Sequence, residues 1–241
     1  MQGIYIGTSG WNYDHWEKIF YPESYPMRTR LEYYTKHFNT VEINSTFHHL
    51  LVPRIFENWH RRTPDNFQLS IKAYKYVTHV KWEKDFWRPL NKFSASLVPL
   101  KEKLGPILFK FPPGLCFNKE TFDRFCTFLE DGQRYAIQAQ HPSWSEKEAL
   151  STLKQYHIAW CISDKTGKDA CTQTITSDFI YIHLHGSPEI HESEYSEDEL
   201  LGWAQKIKKW NQDTYVYFHN HYMGYAPKNA LSLKHLFDKK D

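Results

Sequence analysis

A short alternating stretch, Phe179 to Gly186, constrains the fold of this chain more than any other segment. Along its sequence FIYIHLHG, three aliphatic side chains share one face of an extended strand, and Tyr181, His183 and His185 share the other. A strand that is aliphatic on one side and carries imidazoles on the other is typical of a buried strand whose polar face lines an enclosed space. We interpret that space as the mouth of a barrel.

The same alternation recurs in seven other segments, and helical periods or turn residues separate each segment from the next. Aliphatic and aromatic residues alternate with polar residues in all of them, so one face of each strand is predicted to be polar. The pattern predicts strands at 4–9, 40–46, 67–73, 107–112, 135–140, 158–164, 179–185 and 214–220.

Eight strands that alternate with helices favour an α/β fold of the TIM (β/α)8 barrel type, formed by residues 1–241 as a single domain. An open doubly wound sheet would require a glycine-rich phosphate turn after the first strand, and the segment Gly7-Thr8-Ser9-Gly10 lacks the third glycine of that turn. The polar, aperiodic stretch from Lys165 to Ser177 predicts a degenerate connection in place of a full sixth helix.

Several helix boundaries are also predicted from local signals. Pro53 occupies an N1-like position and begins the second helix, which we expect to bury Ile55 and Trp59. Two further helix starts are predicted from capping-box spacing, at Ser143 with Glu146 and at Ser196 with Glu199.

The charge balance and the cysteine pattern exclude several classes of protein. A net charge of +2, from 30 basic and 28 acidic residues, gives no electrostatic sign of a general nucleic-acid binder. The four cysteines form no CxxC pair and the N-terminus has no signal-peptide pattern, so we expect a reduced, cytoplasmic protein. No segment approaches the ~18 apolar residues of a spanning helix, so we expect no membrane segment.

The loop after the first strand is rich in aromatic residues, namely Trp11, Tyr13, Trp16, Phe20 and Tyr21. Such a loop either stacks over a ligand site or forms a satellite hydrophobic cluster that caps the barrel. The sequence leaves both interpretations open.

Long motifs along the chain resemble those of a known family. IGTSGWNYDHW, FNTVEINSTF, LFKFPP, HPSW, HLHG and NAxxL occur in the order seen in the YecE-like family, domain of unknown function 72. The resemblance spans essentially the whole chain. It implies a TIM-barrel fold distantly similar to the xylose isomerase and endonuclease IV barrels, and it implies no established activity.

The chain departs from that family at inward-facing positions. The family usually has a Glu and an Arg on strand five, an Arg on strand seven, a Tyr-Arg pair after strand two and an Asn-Asp ending on strand eight. The corresponding residues here are Gln138 and Gln140, His183, His48 and His49, and Asn220 and His221. Fewer charges and more imidazoles favour a divergent subgroup with a different ligand.

Polar residues near the carboxyl ends of parallel barrel strands are expected to gather at one face. The residues predicted to be catalytic are Glu42, Lys72, Lys110, Asp164, His183 and His219. Those predicted to bind ligand are Trp11, Tyr13, Asn44, His48, Gln138, Gln140, His141, His185, Asn220 and His221. For any single member, the alternative is a polar layer satisfied by hydrogen bonds.

Three kinds of chemistry fit these residues, and the sequence does not decide whether the chain is an enzyme. We prefer a site without metal or cofactor, in which Lys72 and Lys110 hold a phosphate or carboxylate of a small anionic ligand. There a histidine and Asp164 or Glu42 would exchange protons, as in a hydrolase or isomerase.

The second possibility is a metal-dependent enzyme similar to endonuclease IV or xylose isomerase. Its zinc or manganese ligands would be His183, His185, His219 and His221, with Glu42 or Asp164.

The third is a non-catalytic module that binds nucleotides or single-stranded nucleic acid. It requires basic residues at the mouth of the barrel, and the candidates are Arg28, Arg30, Arg54, Arg61 and Arg62.

Overall fold

The structure is a computed structural model that describes residues 2–79, 86–164, 173–186 and 193–238. Most of the predicted degenerate connection, residues 165–172, lies outside the described residues. Its remaining part, 173–177, contains no helix.

Eight strands form one parallel sheet within the described part of the chain, in the order β1-β8-β7-β6-β5-β4-β3-β2. This topology, with described helices in every connection between successive strands except that from β6 to β7, confirms the predicted (β/α)8 barrel class. The strands are β1 (Ile4–Thr8), β2 (Thr40–Ile43), β3 (Gln68–Lys72), β4 (Leu104–Lys110), β5 (Tyr135–Gln138), β6 (Ala159–Ser163), β7 (Phe179–Leu184) and β8 (Asp213–Phe218).

The α-helices of the described residues lie between or after these strands. They are α1 (Arg30–Tyr34), α2 (Ser45–His48), α3 (Pro53–Arg62), α4 (Lys75–Thr78), α5 (Trp87–Leu97), α6 (Lys119–Cys126), α7 (Lys147–Gln155), α8 (Glu197–Trp210) and α9 (Tyr225–Asp238). Short 3-10 segments lie at Asp14–Trp16, Met27–Thr29, Val98–Lys103, Pro142–Ser145 and Tyr222–Gly224. Within these residues, no helix combines the length and the apolar character that crossing a membrane requires.

The contacts of the described residues divide the chain into two compact units. The first unit contains residues 2–42, 162–164, 179–186 and 193–238, and the second contains 43–79, 86–161 and 173–178. Strand side chains fill the core of each unit. They include Ile6, Ile182 and Val216 in the first, and Ile71 and Phe109 in the second, all buried. The single domain predicted from the sequence stays a prediction.

Two strands at opposite ends of the sheet order, β1 and β2, meet at their carboxyl ends. An isolated parallel bridge joins Ser9 to Glu42, and the Gly10 amide donates to the Glu42 carbonyl at 2.8 Å. Gly7 allows this approach, because a Cβ at that position would lie 2.2 Å from the Thr40 carbonyl oxygen. The backbone contact between β1 and β2 therefore also fixes the position of the Glu42 side chain.

The predicted strand bounds differ from the observed ones by three residues in two places and by at most two residues elsewhere. β2 ends at Ile43 and not at 46, because Ser45–His48 forms the short helix α2. β4 begins at Leu104 and not at 107, so Gly105 and Pro106 lie inside the strand.

The start of α3 at Pro53 is confirmed, but its buried face differs from the prediction. Phe56 is 0% exposed, whereas Ile55 and Trp59 are only half-buried.

One of the two predicted capping boxes is present. The Ser196 side chain accepts from the Glu199 amide, and the Glu199 carboxylate accepts from the Ser196 amide, at the start of α8. The box predicted at Ser143 is wrong, because Pro142–Ser145 forms a 3-10 segment and α7 begins only at Lys147.

Candidate functional site

A buried carboxylate at the end of β2 is the centre of the site in the first unit. Glu42 is 0% exposed, and each of its two oxygens has two polar partners. Oε1 accepts from the Ser9 hydroxyl at 2.6 Å and lies 3.1 Å from Nε2 of His219. Oε2 accepts from the Tyr181 hydroxyl at 2.6 Å and lies 2.6 Å from Nε2 of His183. Partners from β7, from the end of β8 and from the end of β1 thus hold one carboxylate.

Charge and hydrogen bonding decide the protonation state of this group. Burial alone would raise the pKa of Glu42, but the charge of His183 and the hydrogen bonds from His183 and His219 outweigh it and hold the pKa well below its usual value. The pKa of His219 is also well below its usual value, because burial and the charge of His183 outweigh the attraction of Glu42. At neutral pH, Glu42 is therefore a carboxylate and His219 a neutral imidazole.

A second carboxylate, Asp164, lies directly after β6 and orients the third imidazole. It accepts from the His185 backbone amide at 2.8 Å and from the Tyr195 hydroxyl, and Nδ1 of His185 lies 3.6 Å from Oδ1. The Ser163 hydroxyl is 3.2 Å from the same ring nitrogen. Burial would raise the pKa of Asp164, but these hydrogen bonds from His185 and Tyr195 lower it below its usual value.

The structure brings the three imidazoles of His183, His185 and His219 together. They are 0%, 8% and 6% exposed, respectively. Ring centroids lie 4.5 Å apart for His183 and His219, and 4.9 Å apart for the stacked pair His185 and His219. The alternation of β7 places His183 and His185 on one side, and β8 supplies His219 from the neighbouring strand.

One part of the aromatic loop after β1 forms a hydrophobic cluster, and another part lies beside a histidine that is predicted to bind ligand. Trp16 and Tyr21 are buried in an aromatic cluster that includes Phe20, so this part is a hydrophobic cluster. Tyr13 instead stacks on His221, with ring centroids 4.6 Å apart, and its hydroxyl donates to the Ser9 carbonyl at 2.7 Å.

Two other predicted ligand-binding residues of the first unit serve the fold. Trp11 is half-buried, and its carbonyl accepts from the Tyr21 hydroxyl. Asn220 is fully buried, and its amide group donates to Asn229 at 2.8 Å and to the Ser193 carbonyl at 2.9 Å.

The predicted lysines lie in the second unit, at the ends of β3 and β4. Lys72 is buried, and its ammonium lies 5.4 Å from the centroid of the Phe47 ring. Lys110 is half-buried and pairs in register with Gln138 of β5. The pKa of His79 lies below its usual value, chiefly through burial, and the charges of Lys110 and Lys75 lower it further.

The remaining predicted ligand-binding residues also lie in the second unit. Asn44, Gln138, Gln140 and His141 are half-buried, and His48 is exposed. Gln140 follows β5, which ends at Gln138.

His141 takes part in a polar cluster that the sequence did not predict. Its Nε2 lies 3.2 Å from Sγ of the exposed Cys116, and its Nδ1 lies 2.9 Å from the Ser143 hydroxyl. The Ser143 hydroxyl also accepts from the Phe117 amide at 2.7 Å. This side chain therefore holds the loop and does not cap a helix as predicted.

Sequence reasoning missed three hydroxyl groups of the site in the first unit, those of Ser9, Tyr181 and Tyr195. Tyr181 was recognisable, because it shares the polar face of β7 with His183. Ser9 stands just after β1, where a serine gives no signal of its own. Tyr195 follows β7 outside any predicted strand, so only the folded chain reveals its contact with Asp164.

The arrangement supports two kinds of chemistry. Carboxylates that hold one nitrogen of an imidazole fix its tautomer, so the other nitrogen faces a defined direction. That nitrogen can accept a proton from a substrate, as in acid–base catalysis, or donate its lone pair to a metal ion.

Comparisons with known proteins agree with the fold. A family model described as "Protein of unknown function DUF72" matches residues 5–241. The UPF0759 protein YunF of Bacillus subtilis (strain 168) is 26% identical over 270 residues, which cover 98% of this chain and 95% of that protein.

Solved structures give the same result. The crystal structure of a DUF72 family protein from Thermotoga maritima matches with a TM-score of 0.88 and 28% identity, over 99% of this chain and 100% of that chain. The structure of SacUVDE matches with a TM-score of 0.58 and 11% identity, over 99% of this chain and 98% of that one. At this identity the match to SacUVDE supports the fold alone.

Proposed function

The chain belongs to the DUF72 family of proteins of unknown function, so we propose its function from its own side chains: an enzyme that carries out hydrolase- or isomerase-type chemistry on a small molecule. The family resemblance predicted from the sequence motifs is thereby confirmed. The observation that carries the proposal is the network of Glu42 with His183 and His219.

A purely structural role explains this network poorly. Burying an ionised carboxylate is costly, and replacing a buried ion pair by apolar side chains often leaves stability unchanged or improves it. Glu42 lies next to the carboxyl end of β2, where the active sites of parallel barrels are built. Groups with strongly shifted pKa values at such positions are typical of functional sites.

The roles within the site differ from those predicted from the sequence. Glu42 does not exchange protons in this proposal, because four partners keep it ionised. It orients His183 and His219 through their Nε2 atoms. Asp164 positions His185 through its backbone amide at 2.8 Å and lies 3.6 Å from Nδ1 of its ring, so the imidazoles are the groups that these carboxylates orient for chemistry.

For the second unit we propose, separately, the binding of an anionic group. Lys72 and Lys110 occupy positions predicted to be polar on the neighbouring strands β3 and β4. The charge of Lys110 also helps to lower the pKa of His79. The positive charge of Lys110 would attract a phosphate or carboxylate group.

Binding of single-stranded nucleic acid is the less favoured proposal. Of the arginines it requires, Arg30 is 3% exposed and forms an ion pair with Asp14 at 2.9 Å. Arg61 donates to Asn58 on the exposed side of α3. The burial and pairing of Arg30 take it out of any contact with a phosphate backbone, so this proposal depends on the remaining arginines.

A substrate screen with matched variants tests the enzyme proposal. The panel contains phosphomonoesters, phosphodiesters, carboxylic esters and aldose–ketose pairs, assayed with the purified full chain. We expect Glu42→Gln to lower kcat/KM by about 10²–10⁴-fold for the class that is turned over, because the imidazoles lose their fixed tautomer. Glu120→Gln, on the exposed start of α6, is the control and should leave turnover unchanged.

Two results would contradict the proposal. One is the absence of turnover of every class by the wild-type chain. The other is equal turnover by wild type and Glu42→Gln, which would make the Glu42 network structural.

A further inference from the structure

We infer that His183, His185 and His219 bind a divalent transition-metal ion of the zinc class. The inference adds a metal cofactor to the site of the proposed function. It rests on that function only for the metal's role in catalysis. Metal binding is nevertheless measured without any assay of turnover.

The three imidazoles already have the spacing of a ligand set. Each offers one ring nitrogen, and the three nitrogens lie within 4.8 Å of one another. A tetrahedral zinc ion holds nitrogens at about 2.0–2.1 Å, which places the nitrogens about 3.4 Å apart. Binding a metal ion at this spacing therefore requires rotation about the side-chain bonds of these residues.

The hydrogen bonds decide which nitrogen of each ring carries the lone pair. A carboxylate accepts hydrogen bonds only, so the nitrogen that binds it carries the proton. His183 and His219 give Nε2 to Glu42, and Nδ1 of His185 lies 3.2 Å from the Ser163 hydroxyl and 3.6 Å from Asp164, so the polar neighbours of that ring lie on its Nδ1 side. A bound metal ion would displace the proton of the charged His183, and it would take the ring nitrogens turned away from the carboxylates, which are Nδ1 of His183 and His219 and Nε2 of His185.

Carboxylates behind histidine ligands are the usual second layer of a zinc site. They fix the ring orientation and make the imidazole a better donor. Here Glu42 serves two of the rings and Asp164 the third. Both carboxylates are at least largely buried, with exposures of 0% for Glu42 and 11% for the Asp164 side chain. A divalent cation would balance their charge.

The donor set also selects the class of metal. Three imidazole nitrogens suit zinc, copper, nickel or cobalt, and zinc sites with three protein ligands keep a fourth position for water or substrate. Magnesium and calcium prefer oxygen ligands, so they are expected to bind weakly or not at all.

The alternative explanation is a stack of neutral aromatic rings without a metal. The rings of His185 and His219 are stacked, with an interplanar angle of 21°. A phenylalanine would keep that stacking and remove the donor nitrogen, so His185→Phe separates the two explanations. It leaves Asp164 with the His185 backbone amide and the Tyr195 hydroxyl as donors.

Calorimetry with zinc tests the inference on the full chain after treatment with a chelator. We expect one zinc ion per chain in the wild type, and no binding of magnesium. His185→Phe and His219→Phe should each weaken this binding by at least about 100-fold, and Glu42→Gln by about 10–100-fold. The control is His141→Phe, which removes the imidazole beside Cys116 and should leave the affinity unchanged.

Thermal unfolding with and without zinc guards against misfolded variants. A ligand that binds only the folded chain raises Tm, so zinc should raise Tm of the wild type and of His141→Phe. It should not raise Tm of His185→Phe, provided that this variant unfolds cooperatively in the absence of zinc. If His185→Phe does not fold, His219→Phe, in which Glu42 keeps three of its partners, gives the same readout.

The outcomes separate this inference from the proposed function. Wild-type binding that survives in both phenylalanine variants, or that disappears in His141→Phe alone, would overturn the zinc site. So would the absence of zinc binding, while a loss of turnover in Glu42→Gln would still support the enzyme. Zinc binding at the predicted residues without turnover of any substrate class would uphold the site and contradict the enzyme.

Discussion

Glu42 has separate tasks for its backbone and its side chain. Its carbonyl oxygen accepts from Gly10 where β1 meets β2, and its carboxylate orients two imidazoles. A substitution that keeps the side-chain volume, such as Glu42→Gln, therefore changes the site and spares the backbone contact. The inward position of this residue could be predicted from the alternation in TVEI, but its four partners could not, because they come from segments up to 177 residues away.

Lys110 is the residue on which the proposed anion binding depends most directly. Lys110→Met keeps the apolar stem and removes the charge, so the fold should persist. One charged hydrogen bond contributes about 1.5–3 kcal/mol, so the affinity for inorganic phosphate should fall about tenfold or more. Calorimetry at low salt measures this, with the exposed Lys92→Met in α5 as control. Equal phosphate affinity in wild type and Lys110→Met would remove Lys110 from the site.

At the level of elements, strands were easier to predict than the ends of helices. The bounds of β7 and β8 differ from the prediction by only one or two residues. The agreement is close because apolar and polar side chains alternate strictly along both strands. The sequence of α3 contains Ile55, Phe56 and Trp59, which allow more than one apolar face. Only packing decides between them, and it buries Phe56.

The start of β4 was missed for a different reason. Gly105 and Pro106 are a stop signal in sequence, and proline cannot donate to a strand ladder. The register between β3 and β4 shifts at this point: Leu69 pairs with Leu104, and Ile71 with Ile107. Two residues of β4 thus face one residue of β3, and the bulge accommodates the proline.

The choice of buried face in α3 has a direct consequence for stability. Phe56→Ala removes a fully buried ring and should lower the free energy of unfolding by about 3–5 kcal/mol. Ile55→Ala, at the adjacent half-buried position, should cost clearly less. Urea unfolding of the two variants compares them. A larger loss for Ile55→Ala would mean that the predicted face of α3, and not the observed one, is the buried face.

At the scale of the molecule, the barrel class could be predicted because the alternation of strands and helices admits few topologies. The site could be predicted only in part. His183 and Glu42 were recognisable as inward-facing, whereas the pairing of Asp164 with Tyr195 depends on a segment without periodicity. Activity does not follow from the barrel, since this fold supports many chemistries.

The proposed metal site consists of three imidazoles, those of His183, His185 and His219, beside the carboxylates of Glu42 and Asp164. The most direct test is an anomalous difference map from zinc-equilibrated crystals of the full chain, recorded just above the zinc absorption edge. We expect a strong peak bound to His183, His185 and His219, with Glu42 still hydrogen-bonded to His183 and His219. A map with no peak among these three rings, or with zinc bound at Cys116 and His141 instead, would contradict it.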